Sequence, residues 1–215
     1  MTWLSNFLGT SVGRKQIMAL TGLGMAGFLI AHLSGNLLIY AGEEAFNGYA
    51  AFLHEQKWLP LARIGLIGIT VAHIYLAFTL TSQNKASRSV EYYYKTDSGA
   101  SMASKSMIYT GLLILFYLII HLINFTFADK SRDGGLYGLV MAKLATPHYA
   151  FFYIGAMVVL ALHLVHGIQS AFQSFGISHP NHTAHVKKAL MGLAVAICVG
   201  FATIPVYAMI IIGGV

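Results

Sequence analysis

The chain is a succession of long apolar runs separated by short polar breaks. Five runs are long enough to cross a bilayer, at about 17–40, 59–82, 106–128, 148–172 and 186–212. A hydrocarbon core of about 30 Å takes roughly 20 helical residues. Apolar residues within each run are continuous rather than alternating, so helices, not barrel strands, are expected to satisfy the backbone in lipid. The pattern predicts an all-α integral membrane bundle of five transmembrane helices, forming a single membrane domain over residues 1–215. No internal repeat stands out. Ahead of Arg14, the residues Trp3, Leu4, Phe7 and Leu8 have the spacing of a short helix lying in the interface, or belong to an irregular terminus. The first run is too long for a signal-peptide core and lacks a small-residue cleavage pattern, so it is expected to be retained.

Composition agrees with a lipid environment. The 215 residues are 57% hydrophobic and 9% charged, against about 25% charged in soluble domains, which is too little to cover a water-facing surface. The 13 basic residues outnumber 7 acidic ones. They lie between the apolar runs rather than on one face, so nucleic acid is excluded as a partner and they read as topology signals. Arg14, Lys15, Lys85, Arg88, Lys95, Lys105, Lys187 and Lys188 fall on one side. Lys57, Arg63, Lys130, Arg132 and Lys143 fall on the other, with Glu43, Glu44, Glu55, Asp129 and Asp133. The positive-inside rule then puts the N-terminus in the cytoplasm and the C-terminus outside. Tyr40, Trp58, Tyr109 and Tyr149 sit near run ends as interfacial aromatics should. The longest polar connection, Gln83–Lys105, carries Tyr92, Tyr93 and Tyr94 and is expected in the cytoplasm. Cys198 is alone, which excludes an internal disulfide and a C-x-x-C-H haem attachment.

Four of the five runs carry an internal histidine: His32, His73, His121 and His163. Ionisable residues at membrane depth are rare and point to function. His32 and His121 each lie about 22 Å from the cytoplasmic face, at 1.5 Å per residue. His73 and His163 lie at a similar depth from the opposite face. The four therefore fall on two levels, about 12–14 Å apart across a core of about 30 Å, with two helices contributing to each. A lone buried histidine is usually a hydrogen-bonded packing residue, but four paired by depth suit a metal with two open axial positions. Haem iron is such a metal, whereas zinc wants three or four protein ligands at one level. His166, three residues after His163, is the rival ligand on an adjoining face. His163 matches the depth of His73 better, and His166 is expected to hydrogen-bond near a haem propionate or a partner interface.

Smaller signals are read the same way. Gly22, Gly24, Gly27, Gly35, Gly65 and Gly68 suit close helix packing or make room for a macrocycle. Arg63, just inside the second run, needs a partner, either a propionate or a carboxylate such as Glu55, and Lys143 is placed for a similar role. His54 lies outside the runs, and His179, His182 and His185 read as a solvated loop more readily than as a metal tract. Pro205 is expected to kink the last run. No nucleophile–base pair, phosphate loop or zinc motif is present.

The stretches Gly13-Arg14-Lys15-Gln16, Ala31-His32-Leu33-Ser34-Gly35-Asn36-Leu37 and Gly42-Glu43-Glu44-Ala45-Phe46-Asn47-Gly48-Tyr49-Ala50 carry a family resemblance. With His73, Ala77-Phe78, Leu162-His163-Leu164-Val165-His166-Gly167, Ser170-Ala171-Phe172 and Phe175-Gly176-Ile177, the chain resembles the b558-type cytochrome b subunit of succinate dehydrogenases and fumarate reductases. The resemblance implies a two-haem anchor in the inner (cytoplasmic) membrane, holding a flavoprotein and an iron–sulfur subunit on the cytoplasmic face. It implies two haems b, the proximal one on His73 and His163 and the distal one on His32 and His121. It implies a quinone, often menaquinone, reacting near the distal haem at the outer side. Asn36, Glu55, Trp58 and Arg63, near the outer ends of the first two runs, are the candidate quinone-pocket residues. The competing expectations are a dihaem subunit of another quinol-linked respiratory complex and a haem-free, histidine-based proton-coupled transporter.

Overall fold

A computed structural model describes residues 6–7, 9–86, 102–129, 134–177 and 183–213. Arg88, Tyr92, Tyr93, Tyr94, Lys95, Lys130, Arg132, Asp133, His179 and His182 lie outside the described residues, as do Trp3, Leu4 and Leu8 of the expected interfacial segment. The described residues contain no strand. The helices are α1 (Ser11–Asn36), α2 (Glu43–Glu55), α3 (Leu59–Ala86), α4 (Met102–His121), α5 (Gly135–Ala145), α6 (Pro147–Ser174) and α7 (Thr183–Ile211). A 3-10 turn, Leu37–Ala41, extends α1, and a π turn, Leu122–Thr126, extends α4. Five of these units, Ser11–Ala41, Leu59–Ala86, Ser106–Thr126, Pro147–Ser174 and Ala184–Ile211, are long and apolar enough to span a membrane. They match the five expected runs. The protein is an all-helical, multi-pass membrane protein.

Local chemistry sets the helix ends. Thr10 caps α1 by accepting the Gly13 N–H at 3.0 Å and donates to the Phe7 carbonyl at 2.7 Å. A side chain on Gly13 would run into that Phe7 carbonyl, which accounts for the glycine. Pro147 starts α6, where a missing N–H costs nothing. After His121 the ladder widens, and Phe127 N–H donates to the Leu122 carbonyl five residues back, at 3.0 Å.

Two short helices, the amphipathic α2 and the apolar α5, lie where loops between runs were expected, and they pack on each other at the side away from the N-terminus, the far side. Asn47 joins them. Its Nδ2 donates to the Gly134 carbonyl at 3.0 Å, and its Oδ1 accepts the Tyr137 N–H at 2.9 Å. The turn it holds uses Gly134 and Gly135 at φ 81° and 57°, a region that glycine enters without strain. A cluster of Ile39, Phe46, Val140, Met141, Leu144, Tyr153, Ile204 and Ala208 seals this cap. A second cluster, Ala26, Met157, Leu160, Leu164, Ile168, Ala194 and Cys198, joins α1, α6 and α7.

In plan, α3 packs on α1, α1 on α6, and α6 on α4, with only a thin seam between α3 and α4. These four helices form a ring, and α7 buttresses α6 from outside. The α3 residues Ile64, Ile67, Val71, Tyr75 and Phe78 are exposed, an apolar stripe facing where lipid belongs.

Candidate functional site

The diagonals of the ring are α1–α4 and α3–α6, and each diagonal carries one facing pair of imidazoles. His32 on α1 meets His121 on α4 with ring centroids 5.9 Å apart and planes at 88°. His73 on α3 meets His163 on α6 with centroids 6.5 Å apart and planes at 67°. These are the pairings that depth in the sequence predicted. All four rings are half-buried.

Each member of the second pair has a hydroxyl partner on a neighbouring helix. Thr21 Oγ1 lies 3.2 Å from His73 Nδ1, and Thr110 Oγ1 lies 3.1 Å from His163 Nδ1. The residue after each threonine is a glycine whose absent side chain leaves room for the same ring. A Cβ on Gly22 would sit 3.3 Å from His73 Cε1, and one on Gly111 would sit 3.5 Å from His163 Cε1.

This duplication corrects the expectation that the chain has no internal repeat. Thr21-Gly22-Leu23, Leu29-Ile30 and His32-Leu33 recur at identical spacing as Thr110-Gly111-Leu112, Leu118-Ile119 and His121-Leu122. The threonine and the histidine are 11 residues apart in both. Eleven residues are close to three full turns, so both side chains share one helix face. They are separated along the axis by about 16 Å, close to the spacing expected between the two levels. The signal was missed because a Thr-Gly pair inside an apolar run reads as filler. Only the two copies compared with each other expose it.

The surroundings of the two levels differ. Around His121 stand Tyr117, Phe125 and Tyr153, at centroid distances of 5.7, 5.3 and 6.0 Å. Phe201 of α7 approaches His32 at 5.7 Å. Asn36 donates from Nδ2 to the His32 carbonyl at 2.7 Å, and the same nitrogen lies 3.4 Å from His32 Nδ1. His121 Nδ1 is buried with no hydrogen-bond partner. Buried polar atoms are normally satisfied, so this nitrogen is available to a ligand.

Other expected site residues are less closely joined. Glu55, Trp58 and Arg63 are exposed near the far side, and no hydrogen bond, ion pair or ring contact links any two of Asn36, Glu55, Trp58 and Arg63. The Arg63–Glu55 ion pair does not form. Lys143 lies over the Tyr149 ring at 4.6 Å. His166 is half-buried and makes no hydrogen bond among the described residues, while His54 and His185 are exposed. The close-packing expectation for glycine holds at Gly22, at Gly24 against Ile69 and at Gly35 against Tyr49. At Gly27, Gly65 and Gly68 an added Cβ meets nothing within 4 Å.

Among the described residues no group of three or more His, Cys, Asp or Glu could hold a metal ion. Two imidazoles per level therefore suit a metal that brings its own equatorial ligands. A metal–imidazole nitrogen bond is about 2 Å long, which sets two rings gripping one ion about 6 Å apart between centroids. Both pairs stand at that separation. Fold and geometry define a multi-pass helical membrane protein with two cross-bundle imidazole pairs at two depths.

A family model described as the succinate dehydrogenase/fumarate reductase transmembrane subunit matches residues 82–202. The chain belongs to that family, whose members are transmembrane subunits of succinate dehydrogenase or fumarate reductase. The match includes Thr110, His121 and His163. The first half of the repeat, with Thr21, His32 and His73, lies before it. No curated protein and no solved structure matches the chain.

Proposed function

We propose that this chain is the dihaem cytochrome b anchor of a succinate:quinone oxidoreductase, passing electrons between an iron–sulfur subunit and membrane quinone, with menaquinone the expected substrate. The observation that carries the reading is the pair of diagonal imidazole contacts at two depths in a chain of this family. His73 and His163 would hold the haem nearer the N-terminal side, and His32 and His121 the haem nearer the far side. Bound haem supplies a one-electron carrier at each level. The chain positions the two carriers, excludes water with its apolar helices, and sets ring orientation through Thr21 and Thr110. The greater number of basic residues at the N-terminal side supports placing that side in the cytoplasm of the cell, against the flavoprotein and iron–sulfur subunits. Quinone would then react at the far side, near Asn36, Glu55, Trp58 and Arg63. Arg63, exposed and without an ion-pair partner among the described residues, is available to a propionate or to quinone.

The test is haem counted per chain in the purified complex, with a reduced-minus-oxidised spectrum. Two haems b are expected. His32→Ala and His121→Ala should each remove the same spectral component, and His73→Ala and His163→Ala the other. A colourless native complex would refute the proposal. So would a His166→Ala variant that loses a haem while His163→Ala keeps both.

A further inference from the structure

The buried polar side chains among the described residues are Thr21, Thr110 and Asn124. The two threonines approach the same ring atom of two histidines and occupy equivalent places in the repeat. The Thr21 hydroxyl proton is directed at the carbonyls of Ile17 and Met18, at 3.0 and 2.9 Å. That of Thr110 is directed at Ser106 and Met107, at 3.2 and 3.1 Å. Each threonine therefore offers its histidine a lone pair, and the contact closes as a hydrogen bond only when Nδ1 carries the ring proton. Nε2, on the opposite edge of the ring, is then left with its electron pair free.

The other level lacks this device. Asn36 brings to the His32 ring an amide nitrogen, a donor that cannot accept the ring's N–H. His121 Nδ1 has no hydrogen-bond partner among the described residues.

We infer that Thr21 and Thr110 are positioning residues that fix the Nδ1–H tautomer of His73 and His163 and raise the donor strength of those two rings toward the iron they share. The inference rests on the dihaem reading above. A metal-binding imidazole that donates its second N–H to an acceptor is more basic and is held in orientation. A stronger axial donor favours ferric over ferrous iron, so each threonine lowers the potential of that one haem.

The experiment is a redox titration of the haem absorbance bands in membranes holding the whole complex, comparing native protein with Thr21→Val, Thr110→Val and the serine variants of both. Valine keeps the volume and removes the acceptor. The expected result is two haems per chain and a raised midpoint for one haem only. The upper bound is about tenfold in its reduced-to-oxidised ratio, or 59 mV for a one-electron couple. The second haem should not move, and Thr21→Ser and Thr110→Ser should titrate like native protein. Where a valine variant drops a haem, retention of that haem at native potential in the serine variant supports the inference. Loss in the serine variant as well overturns it, because packing rather than the hydroxyl would then be at work. Unmoved potentials in haem-replete valine variants overturn it too, and leave the dihaem reading standing. A haem-free native complex overturns both.

Discussion

The two glycines beside the histidines separate a tolerant position from an intolerant one. A Cβ at Gly22 would stand 3.3 Å from His73 Cε1 and 3.7 Å from its Nδ1, whereas a Cβ at Gly111 would stand 3.5 Å from His163 Cε1. Carbon pairs are most comfortable at about 3.5–4.0 Å. Gly111→Ala thus makes an ordinary contact, and Gly22→Ala forces the His73 ring back by roughly 0.3 Å. The ring has little slack, because its bond to Thr21 is already 3.2 Å long. Stretching it past hydrogen-bond range removes about 1 kcal/mol of net stabilisation, or roughly fivefold in affinity for a ligand held by that ring. Gly22→Val adds two more methyl groups against the same atoms, and overpacking of that kind costs about 1–3 kcal/mol. The measurement is haem per chain, with the temperature at which each spectral component bleaches, in the purified complex. Gly111→Ala should resemble native protein. Gly22→Ala should weaken retention of the haem assigned to His73 and His163, and Gly22→Val should lose it, with the other haem intact. Equal damage from both alanine variants, or a native-like Gly22→Val, would refute the contact geometry and with it the place given to His73.

Two further expectations concern the far-side cap. Asn47→Ala removes both bonds between α2 and the start of α5, and should cost about 1–3 kcal/mol at roughly 0.5–1.5 per bond. Thermal unfolding in detergent reads this, and Asn47→Asp, which keeps the acceptor for Tyr137 N–H, should lose less. Gly35→Ala would place a Cβ 2.6 Å from Tyr49 Cε1 and should destabilise by about 1–3 kcal/mol. Adding Tyr49→Ala should relieve part of that loss in a double-mutant cycle, while Tyr49→Phe, which keeps the ring carbon, should not.

The spans and the histidine pairs were legible for one reason. In lipid every backbone polar group must be satisfied within its own helix, so apolar length fixes the element and residue number converts to depth. His32, His73, His121 and His163 could be sorted by level without knowing which helices touch. Side-chain partners across the bundle were not legible in that way. Thr21 and His73 are 52 residues apart, and nothing local to a threonine in an apolar run distinguishes one that bonds its own helix from one that also meets a ring. The cap was missed for a related reason. Leu136 and Tyr137 pack onto the far-side cluster, but α5 has only the 11 residues Gly135–Ala145, too few to register as a span. The motif around His32 mixes roles that the sequence runs together: His32 faces a partner ring, Gly35 admits Tyr49, and Asn47 holds a turn.

The repeat explains why the pairs lie on diagonals. Each half of the chain supplies a first helix, α1 or α4, with a threonine and a histidine on one face, and a second helix, α3 or α6, with a histidine that faces its counterpart, His73 or His163. Within a half, the threonine meets the second helix's histidine. Between halves, like meets like: His32 with His121, and His73 with His163. Both first helices begin on the same side of the bundle, so the halves are related as parallel repeats about an axis along the membrane normal. A twofold arrangement of this kind makes two facing sites from three residues per half, and it makes their two rings equivalent by construction. Several features break the equivalence at the far level. Asn36 follows His32 by one helical turn, whereas the repeat places Phe125 at the corresponding position after His121. A π turn follows His121 but not His32, and α7 brings Phe201 to His32 alone. The threonine-held level keeps a matched hydroxyl for each ring. Differences between the four histidine variants should therefore be small within the pair His73 and His163, and larger within the pair His32 and His121.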